Sequence, residues 1–92
     1  MDLQDLAGLL RDGEGISVEF KRCGGLPQSD TFETICSFAN RQGGNILLGV
    51  LNDGTVEGIK ADSSLEIRRN IVNCTNNSKL FNAPPQLEME EL

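Results

Sequence analysis

The chain has 92 residues, 38% of them hydrophobic and 24% charged, which bounds it to one small globular domain with a modest core. It contains no His, Trp or Tyr, so Ser-His-Asp and Cys-His nucleophile systems and histidine-containing zinc sites are excluded. Eight Lys and Arg face fourteen Asp and Glu for a net charge of −6; such a chain repels nucleic acid and anionic lipid at long range unless its cations gather on one face.

In chain order, residues 2–11 read as a helix, with Leu3, Leu6, Leu9 and Leu10 near helical spacing and Asp2 and Asp5 at its start. Gly13 and Gly15 end it. Ile16, Val18 and Phe20 alternate with Ser17, Glu19 and Lys21, the pattern of a half-buried strand. Residues 22–30 form a loop with two glycines and a proline. Asp30 and Glu33 have capping-box spacing, and the helix they open carries Phe32, Ile35, Cys36 and Ala39 as an apolar stripe to about Asn40. Gly43 and Gly44 stop it, as C-cap and close-packing residues. The apolar run Ile46 to Leu51, broken by Gly49, reads as a central strand buried on both faces. Asn52-Asp53-Gly54 is a hairpin turn, with Thr55 to Ile59 returning as its second strand. Ser63 and Glu66 form a second capping box before a helix to about Asn77, with Ile67, Ile71 and Cys74 on one face. Asn82 to Pro85 breaks the chain, and Leu87 and Met89 then alternate with Glu88 and Glu90 as the start of another strand. The order α-β-α-β-β-α-β predicts an α+β two-layer domain, a small mixed β-sheet packed by helices. Residues 1–92 read as a single domain; because domains rarely stop on a bare strand, it is expected to be the N-terminal fragment of a longer protein.

Three cysteines, Cys23, Cys36 and Cys74, stand at long spacings without a CxxC pair, against a disulfide framework or a zinc ribbon. Cys36 and Cys74 fall on apolar helix faces and read as core. Cys23 lies beside Lys21 and Arg22, the setting of a reactive thiol, although no base stands nearby in the sequence. No stretch resembles a signal segment or a membrane span. The expected compartment is the reducing cytoplasm, and no membrane partner is expected.

Two constellations carry chemistry. Glu14 in a turn, Glu19 on the first strand and Asp53 at the hairpin tip would converge if the two strands were neighbours. Converging carboxylates hold Mg²⁺ or Mn²⁺ and can activate water for phosphodiester hydrolysis. The plainer reading makes Glu14 and Asp53 solvated turn residues and Glu19 a polar strand position. The second constellation is basic: Lys21, Arg22, Arg41, Lys60, Arg68, Arg69 and Lys79. Near the Gly24-Gly25 and Gly43-Gly44 pairs these cations could meet phosphates, although with only eight cations in the chain the charge balance alone favours a solvated face. There is no GxxxxGK[ST] sequence, which excludes a P-loop ATPase.

Three stretches in order resemble the Schlafen-type AlbA domain family. Glu14-Gly-Ile-Ser-Val-Glu19-Phe-Lys is similar to its E-x4-E-F-K opening. Glu33 through Gly44 is similar to its AFAN-x-x-GG helix end. Asn45 through Gly58 is similar to its G-x-L-x-I-G-V-x-D-x-G-x-V-x-G hairpin. The resemblance implies a DNA-binding domain of bacterial and archaeal transcriptional regulators, followed in them by winged-helix or ATPase-like regions. It also implies a relation to vertebrate Schlafen proteins, in which the fold carries a metal-dependent RNA endonuclease site of three acids. Glu14 and Glu19 match two of these. The third acid follows the Gly-Val of the hairpin strand; here Leu51 and Asn52 follow Val50, and Asp53 is displaced. No catalytic or metal-ligating set is therefore carried over.

Three functions follow as expectations. The first is a DNA-binding module of a transcriptional regulator, using Lys21, Arg22, Arg41, Arg68 and Arg69 on phosphates, with no cofactor. The second is a metal-dependent nuclease with Glu14, Glu19 and Asp53 around Mg²⁺ or Mn²⁺. The third is an interaction module whose terminal strand pairs in a homodimer or with the C-terminal part of the parent protein.

Overall fold

The computed structural model describes residues 1–77, 79, 81 and 85–92. The first element is the helix α1, Leu3–Asp12. Asp2 caps it by accepting the Asp5 N–H at 2.8 Å, and Asp5 reciprocates on the Asp2 N–H at 3.0 Å, a capping box made of two aspartates. Gly13 ends it at φ +81°, donating its N–H to Leu9 O. The leucines form a marked apolar side, yet no α1 residue is buried.

The strand β1, Val18–Lys21, begins later than its alternation predicts. Ile16 stays 83% exposed, because the chain is still turning there and Gly15 donates back to Val18 O at 3.0 Å. Phe20 points into the core and is its most enclosed large side chain. The helix α2 spans Ser29–Ala39 and buries Thr31, Ile35 and Phe38. Asp30 is not its cap: the helix starts at Ser29, so Asp30 lies in the first turn and the N-cap is Gln28, without a side-chain hydrogen bond; the Asp30 carboxylate accepts from Lys21.

Gly43 lies at φ +88° and donates to Phe38 O at 2.9 Å, closing the end of α2. A Cβ on Gly44 would lie 2.7 Å from both the Phe38 ring and Ser17 O. The C-cap of α2 is Asn40 rather than a glycine; Gly43 supplies the turn beyond it, and Gly44 the close approach that the sequence predicts. The strand β2, Asn45–Leu48, then pairs with β1 in parallel, Phe20 opposite Leu47. Parallel neighbours require a crossover, and α2 is that crossover.

The sheet has these two strands, among the described residues. Ile46, Leu47 and Leu48 are half-buried rather than enclosed on both faces. The antiparallel part of the expected mixed sheet is reduced to one bridge, Val50 with Val56, and the expected strand Thr55 to Ile59 does not form as a ladder. The cause lies at Gly49 (φ +85°) and Gly58 (φ +81°), which leave strand geometry. Lys21 O accepts both the Gly49 and Val50 N–H groups, and Gly49 O accepts both Glu57 and Gly58. Paired donors on single carbonyls are the mark of bulged strands. The turn forms as predicted: Gly54 at φ +89° donates to Leu51 O, and Leu51 donates to Thr55 O, both at 2.9 Å.

A 3₁₀ turn, Ala61–Ser63, leads into the helix α3, Ser64–Thr75. Ser63 precedes α3 but makes no side-chain cap, so the second predicted capping box is absent. Helix α3 buries Ile67, Ile71 and Thr75. Cys23, Ile35, Ile67, Ile71 and Phe81 form the main core cluster, with Phe32, Cys36, Ile46, Leu48, Ile59 and Met89 packed around it. The predicted break at Asn82 to Pro85 lies mostly outside the described residues. Residues 85–92 carry no strand pairing; Met89 turns inward, whereas Leu87 is exposed. The architecture remains a small α+β domain. No helix is long and apolar enough to cross a membrane, among the described residues.

At Gly49 an added Cβ would meet the Gly58 backbone at 2.8 Å on top of the left-handed strain. Gly49→Ala is expected to cost about 3 kcal/mol from these two effects. Gly24→Ala, with nothing within 4 Å of its Cβ, should stay within about 0.5 kcal/mol. Urea unfolding of both variants measures the difference.

Candidate functional site

The cations were the first candidates for an interface, and the fold gives them different surroundings. Lys21, at the end of β1, donates to Asp30 Oδ2 at 2.9 Å and lies 3.6 Å from Glu19 Oε1. Its side chain is only 16% exposed. Hydrogen bonding to Asp30 is the main reason its pKa is raised, with Glu19 adding to the effect. Arg22, one residue on, forks onto Glu57, Nε to Oε1 at 3.3 Å and Nη2 to Oε2 at 3.1 Å. This pair ties the loop after β1 to the returning arm of the hairpin. Arg68 on α3 reaches Glu91 Oε1 at 3.5 Å through Nε.

Arg41, just past α2, and Arg69, on α3, are exposed and make no ion pair among the described residues. Arg69 sits on the outer side of α3, one residue from half-buried Arg68 and two from buried Ile67 and Ile71. The five predicted cations thus divide into three held by carboxylates and two presented to solvent. The partner acids Asp30, Glu57 and Glu91 were not apparent from the sequence. Arg22 and Glu57 stand 35 positions apart, and no local spacing announces such a contact.

The carboxylates also separate. Glu14 is exposed in the bend before β1. Glu19 is turned toward Lys21. Asp53 accepts the Thr55 N–H at 2.9 Å, closing its own turn; that hydrogen bond holds its carboxyl below the usual carboxylate range. No three His, Cys, Asp or Glu side chains come together in a group able to hold a metal ion, among the described residues. The strand adjacency that would unite Glu14, Glu19 and Asp53 does hold between β1 and β2. The bulge at Gly49 and the turn beyond it nevertheless commit Asp53 to the backbone.

Cys23 is a core residue rather than the reactive thiol that its basic neighbours suggest. It is 4% exposed within the core cluster, and its Sγ donates to Gly25 O at 3.2 Å. Burial pushes its pKa up, the direction opposite to that of a reactive thiolate.

These shifts give the stability a pH dependence at both ends. Asp2, held by the Asp5 N–H, and Asp53, held by Thr55, both have lowered pKa values. Their stabilisation is complete above the ordinary carboxylate pKa and is lost as pH falls through the lowered folded-state values. The raised Lys21 contributes fully below the ordinary lysine value and loses its contribution as pH rises through its folded-state pKa. Urea midpoints measured across pH should show a shallower acid limb in Asp53→Ala and a shallower alkaline limb in Lys21→Met.

A family model described as Schlafen, AlbA_2 matches residues 14–92. The match begins after α1, the helix that buries none of its residues. Among curated proteins and solved structures no significant match is found.

Proposed function

The chain belongs to the Schlafen, AlbA_2 family, a nucleic-acid-related domain family, and from that premise we propose that it binds duplex DNA as the contact module of a bacterial transcriptional regulator in the cytoplasm. The observation that carries the reading is the exposure of Arg41 and Arg69 without a carboxylate partner among the described residues. In a chain of net charge −6, a cation already neutralised by a neighbour gains little from a phosphate. An unpaired one keeps its full attraction and releases a counterion on contact. Arg guanidinium also matches the two-oxygen geometry of a phosphate.

Lys21, Arg22 and Arg68 take a secondary part in this proposal, since each must first exchange a carboxylate for a phosphate. The chain has four Phe and no Trp or Tyr, and three of those Phe, Phe20, Phe38 and Phe81, are in the core. This favours backbone contact over base stacking, the usual device of single-strand binders.

Fluorescence anisotropy with labelled duplex DNA and a matching RNA, across a salt series, tests the proposal. Binding to DNA should weaken steeply as salt rises. Arg41→Gln and Arg69→Gln should each flatten the log–log salt slope by about one unit. Lys21→Gln should flatten it less. DNA binding that ignores salt, or no binding at the lowest salt, overturns the proposal.

A further inference from the structure

Residues 85–92 form a strap that lines one side of an open groove, whose other walls include β2, α3 and the end of α2. Its seating is shallow. Gln86, Leu87, Glu88 and the last three residues are exposed, and Met89 is the inward side chain that packs on the core cluster. The strap has no strand pairing. What holds its far end is ionic: Glu90 accepts from the Met1 ammonium at 3.2 Å, while Glu91 Oε1 takes both the Ser64 hydroxyl and the Arg68 guanidinium. The Ser64 hydrogen bond, and then Arg68, hold the Glu91 carboxyl below its usual range.

One carboxylate oxygen here meets a hydroxyl and a guanidinium, the same donor types that bind a phosphate oxygen. The strap contributes Glu88, Glu90 and Glu91, three of the fourteen acids of the chain. We infer that this strap is an autoinhibitory mask: Glu91 occupies Ser64 and Arg68 in the place of a nucleic-acid phosphate, and DNA contact at these two residues requires its displacement. The inference rests on the DNA-binding reading above. The mask is displaceable because a single apolar anchor and surface ion pairs hold it, and segments so attached open at low cost. A polyanion bringing several phosphates at once competes with a single carboxylate.

The test compares Glu91→Gln with Glu33→Gln, which removes one charge from an exposed position on α2 remote from the strap in sequence. Both variants change long-range electrostatics equally. Anisotropy titrations with duplex DNA should show Glu91→Gln binding roughly two- to fivefold tighter than Glu33→Gln, the range of one surface ion pair. The salt slope should steepen by about one unit as Arg68 gains a phosphate. Adding Arg68→Gln to Glu91→Gln should abolish both gains. Equal affinity of Glu91→Gln and Glu33→Gln, with measurable DNA binding, overturns the mask and leaves the DNA-binding reading intact. Absence of binding in the wild type and every variant overturns both. A gain that survives Arg68→Gln overturns the mask, because the released charge then acts without the site.

Discussion

Gly49 carries its backbone through φ +85° while Gly58 presses against it, and the placement of the polar surface follows from that contact. The tight approach lets Gly49 O take two N–H groups from the returning arm, while Lys21 O takes two from the outgoing one. The end of β1, the end of β2 and the base of the hairpin are thereby joined at one junction. Arg22 leaves β1 there and finds Glu57 on the opposing arm. Lys21 turns to the other side of the junction, onto Asp30 at the start of α2. A side chain at position 49 or a regular ladder through it would move Glu57 relative to Arg22, and the pairing of the cations would change with it.

The same junction separates what was legible in the sequence from what was not. The helices were legible because their signals are local: Leu6, Leu9 and Leu10 for α1, Phe32, Ile35 and Cys36 for α2, and Ile67 and Ile71 for α3 recur at helical spacing. The Asn52-Asp53-Gly54 turn and the Gly43-Gly44 stop were legible for the same reason. Strand extent was not, because Gly49 reads in sequence as one interruption of an apolar run, whereas in the fold it is a bulge imposed by a partner nine residues away. Ile16 illustrates the converse. Its alternation with Val18 and Phe20 fits a strand, but the bridge from Gly15 to Val18 bends the chain before the strand begins. Capping failed at Asp30 because α2 begins one residue earlier, at Ser29, which puts Asp30 inside the first turn, where its carboxylate meets Lys21.

The candidate site was legible as a set of residue types and illegible as a set of pairs. Lys21, Arg22 and Arg68 stand out by charge, but their carboxylate partners lie 9, 35 and 23 positions away in the chain. Surface pairs of this kind add little to stability; their larger effect is to decide which cations keep a field reaching into solvent. An excess of acids therefore does not spread evenly over the surface. It is used locally on particular cations, which leaves Arg41 and Arg69 exposed and without an ion pair among the described residues.

Cys23 lies beneath that surface, enclosed with Ile35, Ile67 and Ile71, whereas Cys36 and Cys74 are half-buried. Alkylation requires a thiolate in contact with reagent, and burial denies Cys23 both. The three thiols thus form a built-in clock with two speeds. Cys36 and Cys74 register small local openings, while Cys23 registers the events that lift the loop after β1 off the core cluster. The ratio of the two labelling rates measures how much of the domain opens as one unit.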